Sequence, residues 1–281
     1  RFEGDYMAKI MSFVVTIFIL VPIIAPTLGK FLLDNYGWES IFYSQLLFGI
    51  VVLCWFWKRQ PETLPKEQCL KFTSHIFADG VKEILKAKRT IGFTIISGFV
   101  TGSFMVYLST AQQIFQIQYD LKEQFPIIFA GIAIAIGSAT FLNGTLVIKF
   151  GMEKMVTSSL IAFFGVSLIY IVLFNGTANP SIGVLLTFLG LQFFAIGFLF
   201  GNLRALAMEP IGHIAGIGAA ITGFISTIMA VPISTFIGRF VSDTALPLFM
   251  GFLFCSTLSI LILVYLKVTK HSVQLSDKNA L

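Results

Sequence analysis

Eight apolar runs, each long enough to cross a hydrocarbon layer, constrain this chain more than any single motif does. They lie at about 9–33, 39–57, 91–113, 125–148, 154–174, 182–203, 214–237 and 246–266. A helix rises ~1.5 Å per residue, so a ~30 Å hydrocarbon core takes roughly 17–25 residues. Composition agrees with the runs: 12% of residues are charged and the mean hydropathy is +0.88, where soluble domains carry about 25% charge. The predicted class is an all-α membrane protein with eight transmembrane helices.

Loop charge orients the spans. Sixteen of the 19 Lys and Arg residues fall before the first span, between spans two and three, four and five, six and seven, and after the eighth. The alternate connections hold only Lys30, Lys122 and Arg239. By the positive-inside rule both chain ends are cytoplasmic. The same split supports the count of eight, because a missed helix would scramble it. Basic residues spread over separate connections form no single patch, so the net charge of +5 predicts no nucleic-acid partner. Cys54, Cys69 and Cys255 are odd in number and lack CxxC spacing, which predicts small apolar residues or free thiols.

The longest connection, 58–90, leaves the second span through Lys58-Arg59-Gln60-Pro61-Glu62-Thr63-Leu64-Pro65, whose prolines stop a helix. Its later part spaces Phe72, Ile76, Phe77, Val81, Ile84 and Leu85 between basic residues, as in a helix lying on an anionic leaflet. The simplest role for 58–90 is a linker between two groups of helices. Short turns follow the first span at Asp34–Trp38, the fifth at Asn175–Pro180 and the seventh at Ser242–Pro247. Trp38, Trp55, Trp57, Tyr36 and Tyr265 fall near span ends, where interfacial aromatics gather. The 31 phenylalanines, scattered through the spans, read as packing and lipid-facing bulk.

Every Asp, Glu, Lys, Arg and His lies in a connection or at a span end. A proton-driven carrier titrates a carboxylate or histidine within its path. Either coupling is supplied from elsewhere or the protein is not proton-coupled. The sequence carries no metal-ligand cluster, nucleophile–base set or phosphate loop, so no cofactor, no metal and no enzymatic activity are predicted. What the spans offer is uncharged polarity. Span three carries Ser97, Thr101, Ser103, Tyr107, Ser109, Thr110, Gln112 and Gln113; span six carries Thr187, Gln192 and Asn202. Unpaired amides are costly in lipid, so these side chains face a cavity or another helix. Asn143, near a span end, reads as interfacial packing. Small residues recur four apart at Gly98/Gly102, Ala135/Ala139, Gly197/Gly201, Gly212/Gly216 and Ala215/Ala219/Gly223, a spacing that lets helix backbones approach.

Three stretches carry a family resemblance over most of the chain. Glu3-Gly4-Asp5 through Met11-Ser12 leads into Val21-Pro22-Ile23-Ile24-Ala25-Pro26-Thr27-Leu28-Gly29-Lys30. Next come Gly37-Trp38-Glu39-Ser40-Ile41-Phe42 and Pro61-Glu62-Thr63-Leu64, and then Ala207-Met208-Glu209-Pro210 with His213-Ile214-Ala215-Gly216. Together they resemble the later two-thirds of a major facilitator superfamily transporter of the Bcr/CflA drug-resistance efflux group. Pro22, Ala25, Pro26 and Gly29 stand in the stretch similar to the fifth-helix antiporter motif, with Ala25 and Lys30 where that motif has glycine. Gly144-x-x-x-Ile148-Lys149-Phe150-Gly151 resembles the cytoplasmic loop motif G-x-x-x-D-R-x-G, with Ile148 in place of the acid.

The resemblance implies that the eight spans are helices five to twelve of a twelve-helix major facilitator fold. Residues 1–57 would then hold the last two helices of the N-terminal half, 58–90 the cytoplasmic linker, and 91–281 the six-helix C-terminal half with a short tail. The substrate site of this superfamily lies between halves near the midplane. Thr101, Tyr107, Gln112, Gln113, Gln192 and Asn202 are the expected cavity residues; Gly144, Lys149, Gly151, Arg204, Glu209 and His213 are the expected cytoplasmic gate and loop residues. The implied activity is proton-coupled efflux of drug-like small molecules across a bacterial inner membrane, by alternating access. Its partners would be membrane lipid, substrate and protons, with the coupling acid in helices preceding this chain. An importer of the same superfamily, for siderophores or muropeptides, and a non-transporting membrane remnant or scaffold are the competing readings.

Overall fold

The computed structural model describes residues 21, 24–61, 74–176 and 178–279. Pro22, the whole chain up to Leu20 and Glu62-Thr63-Leu64 of the proline-flanked exit therefore lie outside the described residues. The helices are α1 (24–36), α2 (Glu39–Arg59), α3 (Ser74–Lys86), α4 (Lys88–Gln112), α5 (Phe125–Phe150), α6 (Met152–Phe174), α7 (Ile182–Met208), α8 (Ala215–Gly238) and α9 (Leu246–Asn279). Among the described residues, six continuous helical stretches are long and apolar enough to span a membrane. One of them, 182–238, contains both α7 and α8, separated by a tight 3-10 turn at Glu209–Ile214, so seven spanning helices are described besides the α1 segment. The chain is an all-helical membrane protein.

Helices α4 to α9 form a bundle in which α4 packs on α7, α8 and α9, while α7 also packs on α5 and α6. Small residues set the closest approaches. A Cβ at Gly98 would meet Met229 Sδ at 2.9 Å and one at Gly102 would meet Ile233 Cγ2 at 3.0 Å, which places α8 against α4. A Cβ at Gly197 would lie 2.6 Å from the Ile136 carbonyl oxygen and 2.7 Å from Ala139 Cβ, which presses α7 onto α5. Between these seams the core is aromatic. Tyr170 stacks on Phe249 at 3.7 Å, Tyr107 meets Phe193 at 4.5 Å and Phe163 meets Phe252 at 5.5 Å. Some of the phenylalanines thus do internal packing, while Phe48, Phe141 and Phe224 stand on the outside as lipid-facing bulk does.

Gly37, Gly151 and Gly176 take backbone that only glycine adopts readily. Gly37 (φ 80°) reverses the chain between α1 and α2, and Gly151 (φ 81°) does so between α5 and α6, which gives the loop motif its terminal glycine a conformational reason. At the end of the bundle opposite α3, α4 continues as a π-helical turn at Gln113–Gln118. Asn179 ties this end together: it donates to Gln118 Oε1 at 3.0 Å and to the Asp243 carbonyl at 3.4 Å, and accepts from the Ala245 amide at 2.9 Å. Tyr119 donates to the Pro180 carbonyl at 2.7 Å, and burial pushes its phenol up to about 12, so it stays a donor.

Helix α3 does not lie free on a leaflet. Ile84 is fully buried, and a Cβ at Gly80 would meet Ile217 Cγ2 at 2.7 Å, so α3 docks on α4 and α8. Of the apolar face that periodicity assigned to lipid, Ile84 is met by protein while Val81 and Leu85 stay exposed.

Helix α2 buries none of its residues. The α1 segment touches the bundle through Lys30, whose ammonium donates to Glu123 at 2.6 Å. This hydrogen bond holds the Glu123 carboxyl below the usual range. A depressed carboxylate contributes fully above its ordinary pKa, and the contribution is lost as pH falls through the lowered value. The contact is therefore expected to release only in acid, below the ordinary glutamate range. Carbon-13 titration of Glu123 checks this: its midpoint rises in Lys30→Met, and an unchanged midpoint would remove the pair.

Candidate functional site

A cavity of about 270 Å³ with a polar lining lies between α4, α7 and α8. From α4 come Thr94, Ser97 and Thr101, spaced three and four apart and so on one face. From α8 come Thr222, Ser226 and Thr227, beside the small residues Ala219 and Gly223 that leave the space open. Arg204 of α7 brings the only charge in the lining. Thr101 sits thirteen residues into α4, about 20 Å along the axis, so the cavity reaches from near the α3 end toward mid-bundle.

Several of these hydroxyls already donate to carbonyls: Thr94 to Thr90 at 2.7 Å, Thr222 to Gly218 at 2.7 Å, and Ser226 to Thr222 at 2.9 Å and across to Thr94 at 3.3 Å. The hydroxyls of Ser97 and Thr101 make no hydrogen bond among the described residues, and Arg204 makes neither a hydrogen bond nor an ion pair. Three donors thus face one space with nothing to bind.

A second hollow, of about 550 Å³, lies between α8 and α9 and is lined by Pro232, Phe236, Phe240, Met250 and Phe254 among others. It is larger but apolar throughout. It has no group to orient a ligand, and a lipid chain fills such a groove unaided.

The residues expected to border a cavity separate in the structure. Thr101 lines the α4–α7–α8 space. Tyr107 is fully buried among Phe129 and Phe193, its hydroxyl without a partner among the described residues. Gln192 is fully buried and donates to Ser167 Oγ of α6. Asn202 donates to Asn143 Oδ1 at 2.7 Å and receives at 3.4 Å in return, joining α7 to α5. Gln112 and Gln113 sit at the far end, donating to Gln116 Oε1 at 3.1 Å and to the Ser242 carbonyl at 3.3 Å. Thr94, Ser97, Thr222, Ser226 and Thr227 were not among the expected cavity residues. The available signal was hydroxyls and small residues at helical spacing on two helices, opposite one arginine.

At the α3 end the charged residues pair. Arg89 reaches Glu153 at 2.9 Å and Glu209 at 2.8 Å, fastening the start of α4 to the start of α6 and the end of α7. His213 reaches Glu83 of α3 at 2.6 Å. Of the residues expected at this end, Glu209 thus joins an ion pair and His213 contacts a carboxylate, whereas Arg204 turns up in the cavity lining. Lys149 lies 5.4 Å over the Phe150 ring, and a Cβ at Gly144 would meet nothing within 4 Å. In α1, Ala25 is exposed, Pro26 half-buried, and a Cβ at Gly29 would meet nothing within 4 Å.

A family model described as Major Facilitator Superfamily matches residues 1–231. The chain is 25% identical over 269 residues to a bicyclomycin resistance protein homolog of Haemophilus influenzae, covering 94% of this chain and 66% of that protein. It is 27% identical over 279 residues to the uncharacterized MFS-type transporter YdgK of Bacillus subtilis, covering 97% and 67%. To the multidrug resistance protein MdtL of a Shewanella species it is 26% identical over 228 residues, covering 77% and 54%. The chain therefore spans between about half and two thirds of the length of these relatives.

Proposed function

We propose, for a chain that belongs to the major facilitator superfamily, a role in exporting drug-like small molecules from a bacterial cell by alternating access coupled to protons. The observation that carries this reading is the hydroxyl- and arginine-lined cavity between α4, α7 and α8. A few polar groups converging within apolar walls is how small-molecule sites are built. The names of the drug-resistance relatives support the direction of transport. In this reading both chain ends are cytoplasmic and the membrane is the inner one. Residues 1–57 belong to an N-terminal half, 58–90 link, and 91–281 form the C-terminal half. Arg89, Glu153, Glu209, Glu83 and His213 then close the cytoplasmic end in one state and part in another.

The test is movement of three compounds from proteoliposomes under an imposed pH gradient: neutral chloramphenicol, cationic ethidium and anionic nalidixate. Gradient-driven movement that an ionophore abolishes is expected for at least one. Movement that ignores the gradient removes proton coupling, and movement no faster than from empty liposomes removes efflux altogether.

A further inference from the structure

We infer that the α4–α7–α8 cavity is a subsite for an organic oxyanion, a carboxylate carried by the transported molecule, held by Arg204 with Ser97 and Thr101. This deepens the efflux reading and rests on it for the ligand's role. The charge argument comes first. Arg204 is exposed and is the one charge in the cavity lining, so an anionic group that enters the cavity meets a guanidinium. The acids nearest in sequence and at the same end are already engaged: Glu153 and Glu209 by Arg89, and Glu83 by His213. Arg204 is left without an acid among the described residues.

Hydrogen bonding points the same way. Ser97 and Thr101 present hydroxyls one helical turn apart, both unengaged, on the wall formed by α4. A carboxylate accepts from several donors at once, and its charge-assisted bonds to a guanidinium fork are among the strongest available. A neutral amide would satisfy the hydroxyls and leave the charge standing. The volume of about 270 Å³ suits one ring and its acid group rather than a whole drug-sized molecule, hence a subsite.

The experiment is equilibrium dialysis of 4-nitrobenzoate and 4-nitrobenzamide against the chain in phosphatidylcholine nanodiscs, with empty nanodiscs subtracted. The acid is expected to bind about tenfold or more tighter than the amide of the same shape. Arg204→Gln brings the acid down to the amide's affinity, while Arg204→Lys keeps part of the preference because charge remains and the fork is lost. Ser97→Ala and Thr101→Val each weaken the acid by roughly threefold to tenfold. If Arg204→Gln does not fold, salt carries the test: acid binding falls with ionic strength and amide binding does not. Equal affinity for acid and amide, or a preference indifferent to Arg204 and to salt, overturns the assignment. So does loss of acid binding in phosphatidylglycerol nanodiscs, which would make a lipid phosphate the occupant. Arg204-dependent acid binding without export of any compound leaves this site standing and removes efflux. Export of nalidixate unaffected by Arg204→Gln, with acid and amide bound alike, does the reverse.

Discussion

Gly197→Ala is expected to lower the thermal unfolding midpoint by several degrees, while Gly201→Ala leaves it in place. The two glycines are one helical turn apart on α7, but only the first is pressed against a backbone. Its new Cβ would sit 2.6 Å from the Ile136 carbonyl oxygen and 2.7 Å from Ala139 Cβ, whereas a Cβ at Gly201 would meet nothing within 4 Å. A carbonyl cannot rotate out of the way as a side chain can. The α5 backbone must move, and overpacking of this kind costs about 1–3 kcal/mol. For a bundle of this size each kcal/mol shifts the midpoint by roughly 2–4 °C. Gly98→Ala should fall between the two, since its obstacle is the flexible Met229 side chain. Cys255, fully buried in α9, reports unfolding through a thiol-reactive dye once Cys54 and Cys69 are serine. A midpoint for Gly197→Ala equal to the parent's would show that α5 and α7 do not pack this closely.

The second large effect lies on the same seam. Asn202→Leu leaves the Asn143 amide without its partner in a site that lipid and apolar side chains surround, while Asn143→Leu leaves Asn202 with only its bond to the Phe198 carbonyl at 2.9 Å. Each single change is expected to cost about 1–2 kcal/mol. The double change should cost less than the two together by roughly 0.6–2 kcal/mol, because no amide remains unpaired. Chemical unfolding of the four proteins in one detergent measures the coupling. Additivity within ~0.3 kcal/mol would mean that the two amides do not meet.

Helix existence was legible because apolar length is a one-dimensional property. The runs at 182–203 and 246–266 were found, yet α7 continues to Met208 and α9 to Asn279, since a helix does not stop where its apolar residues do. The small-residue spacing of Gly98, Gly102 and Gly197 foretold close packing, and the structure supplies the neighbours. At Gly212 and Gly216 the same spacing meets nothing within 4 Å, so spacing licenses an approach without requiring one. Amides gave the strongest polar signal, but Gln192 and Asn202 of α7 pair with neighbouring helices, at Ser167 of α6 and Asn143 of α5. The cavity is lined instead by hydroxyls, which are unobtrusive in sequence because they can always bond their own backbone, as Thr94 and Thr222 do. Which of them remain unengaged depends on three helices meeting, and no single run contains that.

The fastening at Asn179 makes the bundle's far end a fulcrum. One side chain there grips the chain as it leaves α4, enters α7 and enters α9, so these helices share a fixed point. A helix of 25 residues is a lever about 37 Å long. Swung by about 10° from that point, its other tip travels roughly 6 Å, more than the width of a carboxylate. The mouth of the Arg204 cavity lies toward those tips. Opening it by leverage would leave the Asn179 hydrogen bonds intact, and the Arg89 ion pairs and the His213–Glu83 contact would hold the moving tips.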